Sequence, residues 1–185
     1  MANGLWTLLA ALAVARCASS VVHAAEPLAL ETKIALGRVA GRIDHLAVDL
    51  PRQRLFVAEL DNNSVAVIDL KERKLIRRLS GFKQPQGLAY HRSSDMLYVS
   101  NAGDGSVRLF RGPDYAASGR IDLSDDADNI LIDNAANRVI VGYGDGALAV
   151  IDPESRSKVS AISLKAHPEG FQLDTKGQRI FVNVP

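Results

Sequence analysis

Three stretches of this 185-residue chain superpose on one another, and that periodicity limits the fold more than any other feature. His45-Leu46-Ala47-Val48-Asp49, Arg54-Leu55-Phe56-Val57-Ala58 and Ser64-Val65-Ala66-Val67-Ile68-Asp69 form the first copy. Gly87-Leu88-Ala89-Tyr90, Met96-Leu97-Tyr98-Val99-Ser100-Asn101 and Ser106-Val107-Arg108-Leu109-Phe110 repeat it. Asn129–Asp133, Arg138–Gly142 and Ala147–Asp152 repeat it again, and Gly170–Asp174 with Arg179–Asn183 begins a fourth. The equivalent positions Leu46, Leu88, Ile130 and Phe171 lie 42, 42 and 41 residues apart. Each run is rich in Val, Ile, Leu, Tyr and Phe and bounded by turn residues, the pattern of a β-strand. Asn62-Asn63, Asp104-Gly105 and Asp145-Gly146 join the second and third runs with residues that tolerate positive φ, which fixes the register independently of hydrophobicity. A more polar fourth run follows at Leu75–Leu79, Ala117–Asp122 and Lys158–Ser163, as an outer edge strand requires. Four antiparallel strands per unit of this length make the blade of a β-propeller, so the expected class is all-β.

Blades are expected over 43–82, 85–124 and 127–165, with half a blade over 168–185, within a partial propeller covering 25–185. Thr32–Gly37 has the spacing of a fourth strand, since Ile34 precedes Leu46 by 12 residues as Ile76 precedes Leu88 by 12. It reads as an orphan outer strand at 32–37. A closed propeller typically has about four to eight blades. Three and a half blades therefore imply an open arc, expected either from a truncated frame or fragment, or from a ring completed by a second copy.

Met96-Leu97-Tyr98-Val99-Ser100-Asn101-Ala102-Gly103-Asp104-Gly105-Ser106-Val107 resembles the signature of the YVTN-type repeat, found in the YncE-like group of exported bacterial propellers. Leu55-Phe56-Val57-Ala58-Glu59 and Ile180-Phe181-Val182-Asn183 keep the pattern, whereas Val139-Ile140-Val141-Gly142-Tyr143 places tyrosine where the asparagine stands. The resemblance runs from residue 32 to residue 185 and implies a ring that is usually seven-bladed. It is specific for fold and weak for function, because such propellers host many activities.

Ahead of the repeats, Leu5–Ala15 is an apolar run, with Thr7 its one polar residue, too short to span a bilayer, followed by small residues and Val22-His23-Ala24. Residues 1–24 read as a secretory signal cleaved after Ala24, which predicts a periplasmic or secreted protein with no membrane span in the mature chain. The signal would remove Cys17, the one cysteine, leaving a chain suited to an oxidising compartment. A single cysteine also excludes a disulfide framework and multi-cysteine metal sites. With 22 basic against 21 acidic residues no bulk field attracts nucleic acid, and none is expected as a partner. The basic cluster at Lys71–Lys74 with Arg77 and Arg78 reads as a solvated edge.

In a propeller the segments leading into the inner strands gather at one end of the central channel. The repeat alignment therefore collects Asp44, His45, Gln86, Asp128, Asn129, His167 and Glu169 at the channel mouth, with Glu59, Asn101, Tyr143 and Asn183 further out on the same face. Turn residues such as Pro51–Gln53 and Asp133–Asn137 fall on the opposite face, where His91 is expected in solvent. Asp44, Asp128, Asn129 and Glu169 are the residue types that hold Ca²⁺ or another hard divalent cation, and His45 or His167 could act as a base. The same Asp and Asn residues are equally turn formers bonding their own loop amides. No glycine-rich phosphate loop, nucleophile elbow or helical histidine pair is present.

The leading expectation is an exported, non-catalytic binding or scaffolding propeller that presents its mouth to a small molecule or an envelope protein, with no resident cofactor. Two alternatives stand beside it. One is a divalent-metal-dependent lactonase or related hydrolase, as in gluconolactonase-type propellers. The other is a redox-associated subunit like the heavy chain of periplasmic amine dehydrogenases.

Overall fold

The computed structural model describes residues 28–174 and 179–185, so residues 1–24, expected to be a secretory signal, lie outside the described residues. The chain divides into a unit of residues 1–33 and a unit of residues 34–185, and the architecture below is that of the second. Every sheet in it is antiparallel with strands in sequence order. Sheet 1 holds β1 (Leu46–Asp49), β2 (Arg54–Glu59), β3 (Ser64–Asp69) and β4 (Lys74–Ser80). Sheet 2 holds β5 (Pro85–His91), β6 (Met96–Asn101), β7 (Ser106–Arg111) and β8 (Ala116–Asp122). Sheet 3 holds β9 (Ile130–Asp133), β10 (Arg138–Tyr143), β11 (Ala147–Asp152) and β12 (Ser157–Ser163). A two-stranded sheet of β13 (Gly170–Leu173) and β14 (Ile180–Asn183) follows. Among the described residues these sheets do not close into a ring.

The turns are longer than two residues. Eight of the nine hairpins within the three four-stranded sheets use a four-residue loop whose last residue is left-handed. Gln53, Asn63, Arg73, Asp95, Tyr115, Asn137 and Arg156 have φ between 51° and 54°, and Gly105 has φ 57°. Such a loop reverses the chain about a type I turn and uses the left-handed residue to rejoin the ladder. The left-handed conformation costs roughly 1 kcal/mol for a residue with a Cβ. The ninth hairpin, between β10 and β11, has only Gly144–Gly146 in its loop, which is why the last repeat interval is 41 rather than 42. Asn63 and Gly105 therefore hold the left-handed position of a four-residue loop rather than half of a two-residue turn.

Alternation along each strand makes both faces of each sheet apolar, and the sheets stack on those faces. Phe56, Ala58, Val65 and Val67 of sheet 1 pack on Leu88, Leu97, Val99 and Phe110 of sheet 2. Met96, Tyr98, Val107 and Leu109 on the other face of sheet 2 pack on Ile130, Val139, Val141 and Ile151 of sheet 3. Ile140, Leu148 and Val150 then meet Phe171, Ile180 and Val182 of the final hairpin. The outer strands β4, β8 and β12 are largely exposed. Each carries a bulge at the equivalent place, opposite Val67/Ile68, Leu109/Phe110 and Val150/Ile151. A bulge twists an edge away from flat pairing.

Residues 32–37, expected as an orphan outer strand, pair with no strand among the described residues. With no neighbouring strand to pair, the segment uses its side chains instead. Ile34 and Leu36 pack on Val57, Ala66 and Ile68, the face of sheet 1 that looks away from sheet 2.

Glu59 at the end of β2 is fully buried, accepting hydrogen bonds from Ser64 Oγ at 2.6 Å and from Arg78 Nε and Nη2 at 2.6 and 2.8 Å. Arg78 also donates to the Leu36 carbonyl at 2.8 Å, tying the N-terminal segment to sheet 1. Burial alone would raise the Glu59 carboxyl, but Arg78 and Ser64 outweigh it and hold it below its ordinary value. The ion pair therefore contributes stability above the unfolded carboxylate range and loses it as pH falls through the lowered value. Arg78→Met should destabilise the chain by about 2–3 kcal/mol at neutral pH by stranding a buried charge. Urea unfolding as a function of pH should show that deficit narrowing toward acid pH, as the carboxyl takes up a proton.

Candidate functional site

The residues just ahead of each inner strand are held by backbone pairs to the end of the second strand. Asp44 N donates to the Ala58 carbonyl at 2.9 Å and Ala58 N to the His45 carbonyl at 3.0 Å. Asp128 N and the Gly142 carbonyl, at 2.9 Å, and Gly142 N and the Asn129 carbonyl, at 2.8 Å, repeat the arrangement, and Glu169 N donates to the Asn183 carbonyl at 3.1 Å. These bonds fix the side chains at one end of the stack. In sheet 2 the lead-in is itself a strand, since β5 starts at Pro85 and bulges before Leu88, so Gln86 lies half-buried within it.

Asp128 is the centre of the group. Burial raises its carboxyl above the ordinary range, Asp44 and Asp126 push further in that direction, and His45 and His167 oppose it. Its Oδ1 is buried with no hydrogen-bonding partner. His45 Nδ1 is in the same condition, lying 2.8 Å from Asp44 Oδ1 but off the hydrogen-bonding direction. His167 Nδ1 makes a 2.7 Å bond to the Gly144 carbonyl, and because a carbonyl only accepts, Nδ1 carries the proton. Nε2 then faces Asp128 Oδ2 at 3.7 Å, while Asp126 Oδ2 lies 3.7 Å from Nδ1. A neutral Nε2 and an ionised carboxylate are both acceptors, so the pair favours holding a proton. Burial would lower His167, but the Gly144 carbonyl and the Asp126 and Asp128 carboxylates raise it overall.

The fold makes room for this group with small residues. Ser100 Oγ accepts from Gly87 N at 3.0 Å and donates to the Asp128 carbonyl, bridging sheets 2 and 3. A Cβ on Gly87 would lie 2.3 Å from that carbonyl, so only glycine fits. A Cβ on Gly142 would lie 2.9 Å from Pro168 Cγ. Ala58, Ser100 and Gly142 occupy one repeat position, a signal that the next lead-in comes close, and it is readable in the sequence.

Of the expected mouth residues, Asp44, His45, Asp128 and His167 form one electrostatic group. Asn129 does something else: its amide donates to the Glu169 carbonyl at 2.7 Å, lashing sheet 3 to the last hairpin, and Glu169 is exposed. Among the described residues no group of three or more His, Cys, Asp or Glu side chains is placed to hold a metal ion. Asp126, which sequence reasoning did not single out, joins the site through His167. Of the outer positions, Glu59 and Asn101 are buried in hydrogen bonds rather than presented outward.

On the opposite face His91 is 2% exposed rather than solvated, bonded to Ser94 and Ser93 at 2.7 and 3.1 Å. Arg52 bonds Asp49, Tyr90 and Asp95 at 2.5 to 3.0 Å and clamps the first turn of sheet 1 to sheet 2. Burial and Asp95 push the Tyr90 hydroxyl up to about 12.

No protein-family profile matches the chain, and no curated protein matches it. Solved structures do. One is hydrazine synthase of Kuenenia stuttgartiensis, a β-propeller-containing protein, with a TM-score of 0.69 over 75% of this chain at 22% identity. These sheets are propeller blades. The chain spans 40% of the length of that solved chain, and at this identity the likeness is one of fold alone. With 1056 solved chains matching, the architecture is too widely shared to indicate an activity.

The geometry sets the pH response of the mouth. Asp128 and His167 both have folded values above their unfolded ones, so each contributes stability at low pH that is lost as pH rises through the raised value. Asp128→Asn should therefore be neutral or stabilising above neutral pH relative to the parent chain. NMR titration should find His167 above the ordinary histidine value near 6.5 and lowered by Asp126→Asn or Asp128→Asn. Unchanged titration in both variants would refute the coupling.

Proposed function

We propose that this chain is an exported, non-catalytic binding propeller of the YVTN type, whose mouth takes a small polar ligand or a partner protein of the cell envelope. The observation that carries the reading is Asp128 Oδ1, buried without a hydrogen bond among Asp44, His45, Asp126 and His167 where the lead-ins converge. Leaving a buried polar atom unpaired costs on the order of 1–3 kcal/mol, so a ligand that donates to Asp128 Oδ1 would bind with that cost relieved. A ligand carrying hydroxyl or ammonium donors meets that need, because the surrounding Asp44, Asp126 and Asp128 oxygens accept and do not donate when ionised. The YVTN-like run at Met96–Val107 and the apolar run at Leu5–Ala15 support the family and the address.

Two measurements test this. Ring signals of His45 and His167 should shift on titration with hydroxylated or ammonium-bearing solutes and not with carboxylate-bearing ones, and Asp128→Ala should abolish the shifts. Silence across all three classes would end the binding reading. Separately, the protein recovered from a bacterial envelope fraction should have Ala25 at its N-terminus by mass spectrometry. Recovery from the cytoplasm with Met1–Ala24 intact would end the export reading.

A further inference from the structure

Two of the hairpins that join second to third strands carry an Asp-Gly pair, Asp104-Gly105 and Asp145-Gly146, and the structure treats the two differently. Asp104 Oδ1 accepts from Ser106 Oγ at 2.5 Å and Oδ2 from Arg120 Nη1 at 2.9 Å, so both carboxylate oxygens are held. Its neighbour Gly105 is packed so closely that a Cβ there would lie 2.3 Å from Asp125 N. Asp145 stands exposed at the tip of the loop Gly144–Gly146, and among the described residues its carboxyl has no hydrogen-bonding or ion-pair partner. Gly144, with φ 59°, has open space where a Cβ would be, and the Gly146 amide is engaged in no backbone hydrogen bond. Glycine on both sides leaves the backbone free to bring the Asp145 side chain against the following amide.

We propose that Asp145-Gly146 is a site of spontaneous isoaspartyl formation, and that the change reaches the mouth through Gly144. The Gly146 nitrogen attacks Cγ of the protonated Asp145 carboxyl. The N–Cγ bond forms, the nitrogen gives up its proton, and the hydroxyl leaves with that proton as water. A second water then reopens the five-membered imide. Attack at Cγ restores aspartate, whereas attack at the main-chain carbonyl carbon breaks its bond to the nitrogen, routes the chain through Cβ and Cγ, and frees an α-carboxylate. Only water takes part besides the chain itself. Intramolecular attack depends steeply on positioning, a misplacement of about 1 Å costing on the order of a hundredfold, so the clamped Asp104 is the slow site. The added main-chain atom falls in the shortest loop of the three four-stranded sheets, beside a residue that is bonded on both sides. Gly144 N donates to the Asp125 and Asp126 carbonyls at 3.1 and 3.2 Å, and its carbonyl accepts from His167 Nδ1 at 2.7 Å. Lengthening the loop therefore shifts the anchor that orients His167, whether or not the mouth takes a ligand.

Ageing the purified chain in warm neutral buffer tests this. Trypsin separates residues 93–108 from residues 139–156, and isoaspartyl methyltransferase with labelled S-adenosylmethionine then marks any freed α-carboxylate. Label should build up in 139–156 at least about tenfold faster than in 93–108. Asp145→Glu should remove it, because glutamate would have to close a larger ring, and Asp145→Asn should speed it, because ammonia leaves in place of water. Both substitutions alter an exposed side chain and leave the fold intact. As the isoaspartyl form grows, the His167 ring signals should split into a second set while those of His91, on the opposite face, stay single. Equal labelling of the two peptides, or none in 139–156, overturns the proposal. An isoaspartyl form that leaves the His167 signals unsplit overturns it equally.

Discussion

Every blade leans on the next through a layer of apolar side chains, and the rest of the molecule follows from that contact. A four-stranded sheet with alternating Val, Leu, Ile and Phe has two faces to bury and cannot bury either alone. Stacking satisfies both, but only if the backbone at the end of each second strand is thin enough for the next lead-in to cross it. Ala58, Ser100 and Gly142 provide that clearance, and Gly87 is bare because the Asp128 carbonyl lies where its Cβ would be. Stability in such a stack is transmitted between neighbours, so a change in one layer is felt in the two blades that share it.

The electrostatics of the mouth is a by-product of the same packing. Asp44, Asp128 and His167 are separated by dozens of residues, and each is held by bonds that belong to the repeat or its turns. Convergence of the blades then buries Asp128, which raises it, and sets the Gly144 carbonyl and the Asp126 and Asp128 carboxylates against His167, which raises that imidazole in spite of burial. The buried Glu59–Arg78 pair shows the opposite balance. There the cation sits directly on the carboxylate, and the attraction overcomes burial.

Much of the fold was legible because it is periodic. The spacing of Leu46, Leu88, Ile130 and Phe171, the Val-rich runs and the polar outer strands each pointed independently to four-stranded blades, and the sheets have that order. The mouth was legible only as a set of positions. Asp126 lies outside the repeat signature, in a turn that sequence treats as ordinary, and it joins the site because His167 folds back onto Gly144. The burial of His91 and the reach of Arg52 to Asp95 were hidden for a related reason: both depend on how two blades meet, which strand grammar does not encode. The segment at 32–37 has a strand's spacing, but a strand also needs a neighbour to pair with.

The sequence by itself determined the period, the strand order within each blade and the list of polar groups that lead into the inner strands. Those are local or nearest-neighbour properties, written in alternation and in residues that accept positive φ. Only the tertiary structure decided which of those polar groups share a field and which carry a blade-to-blade lashing, as Asn129 does. The reason is physical: burial, and the shift of charge that burial brings, depends on what lies across the gap between sheets, and a residue's own neighbours in the chain do not specify that.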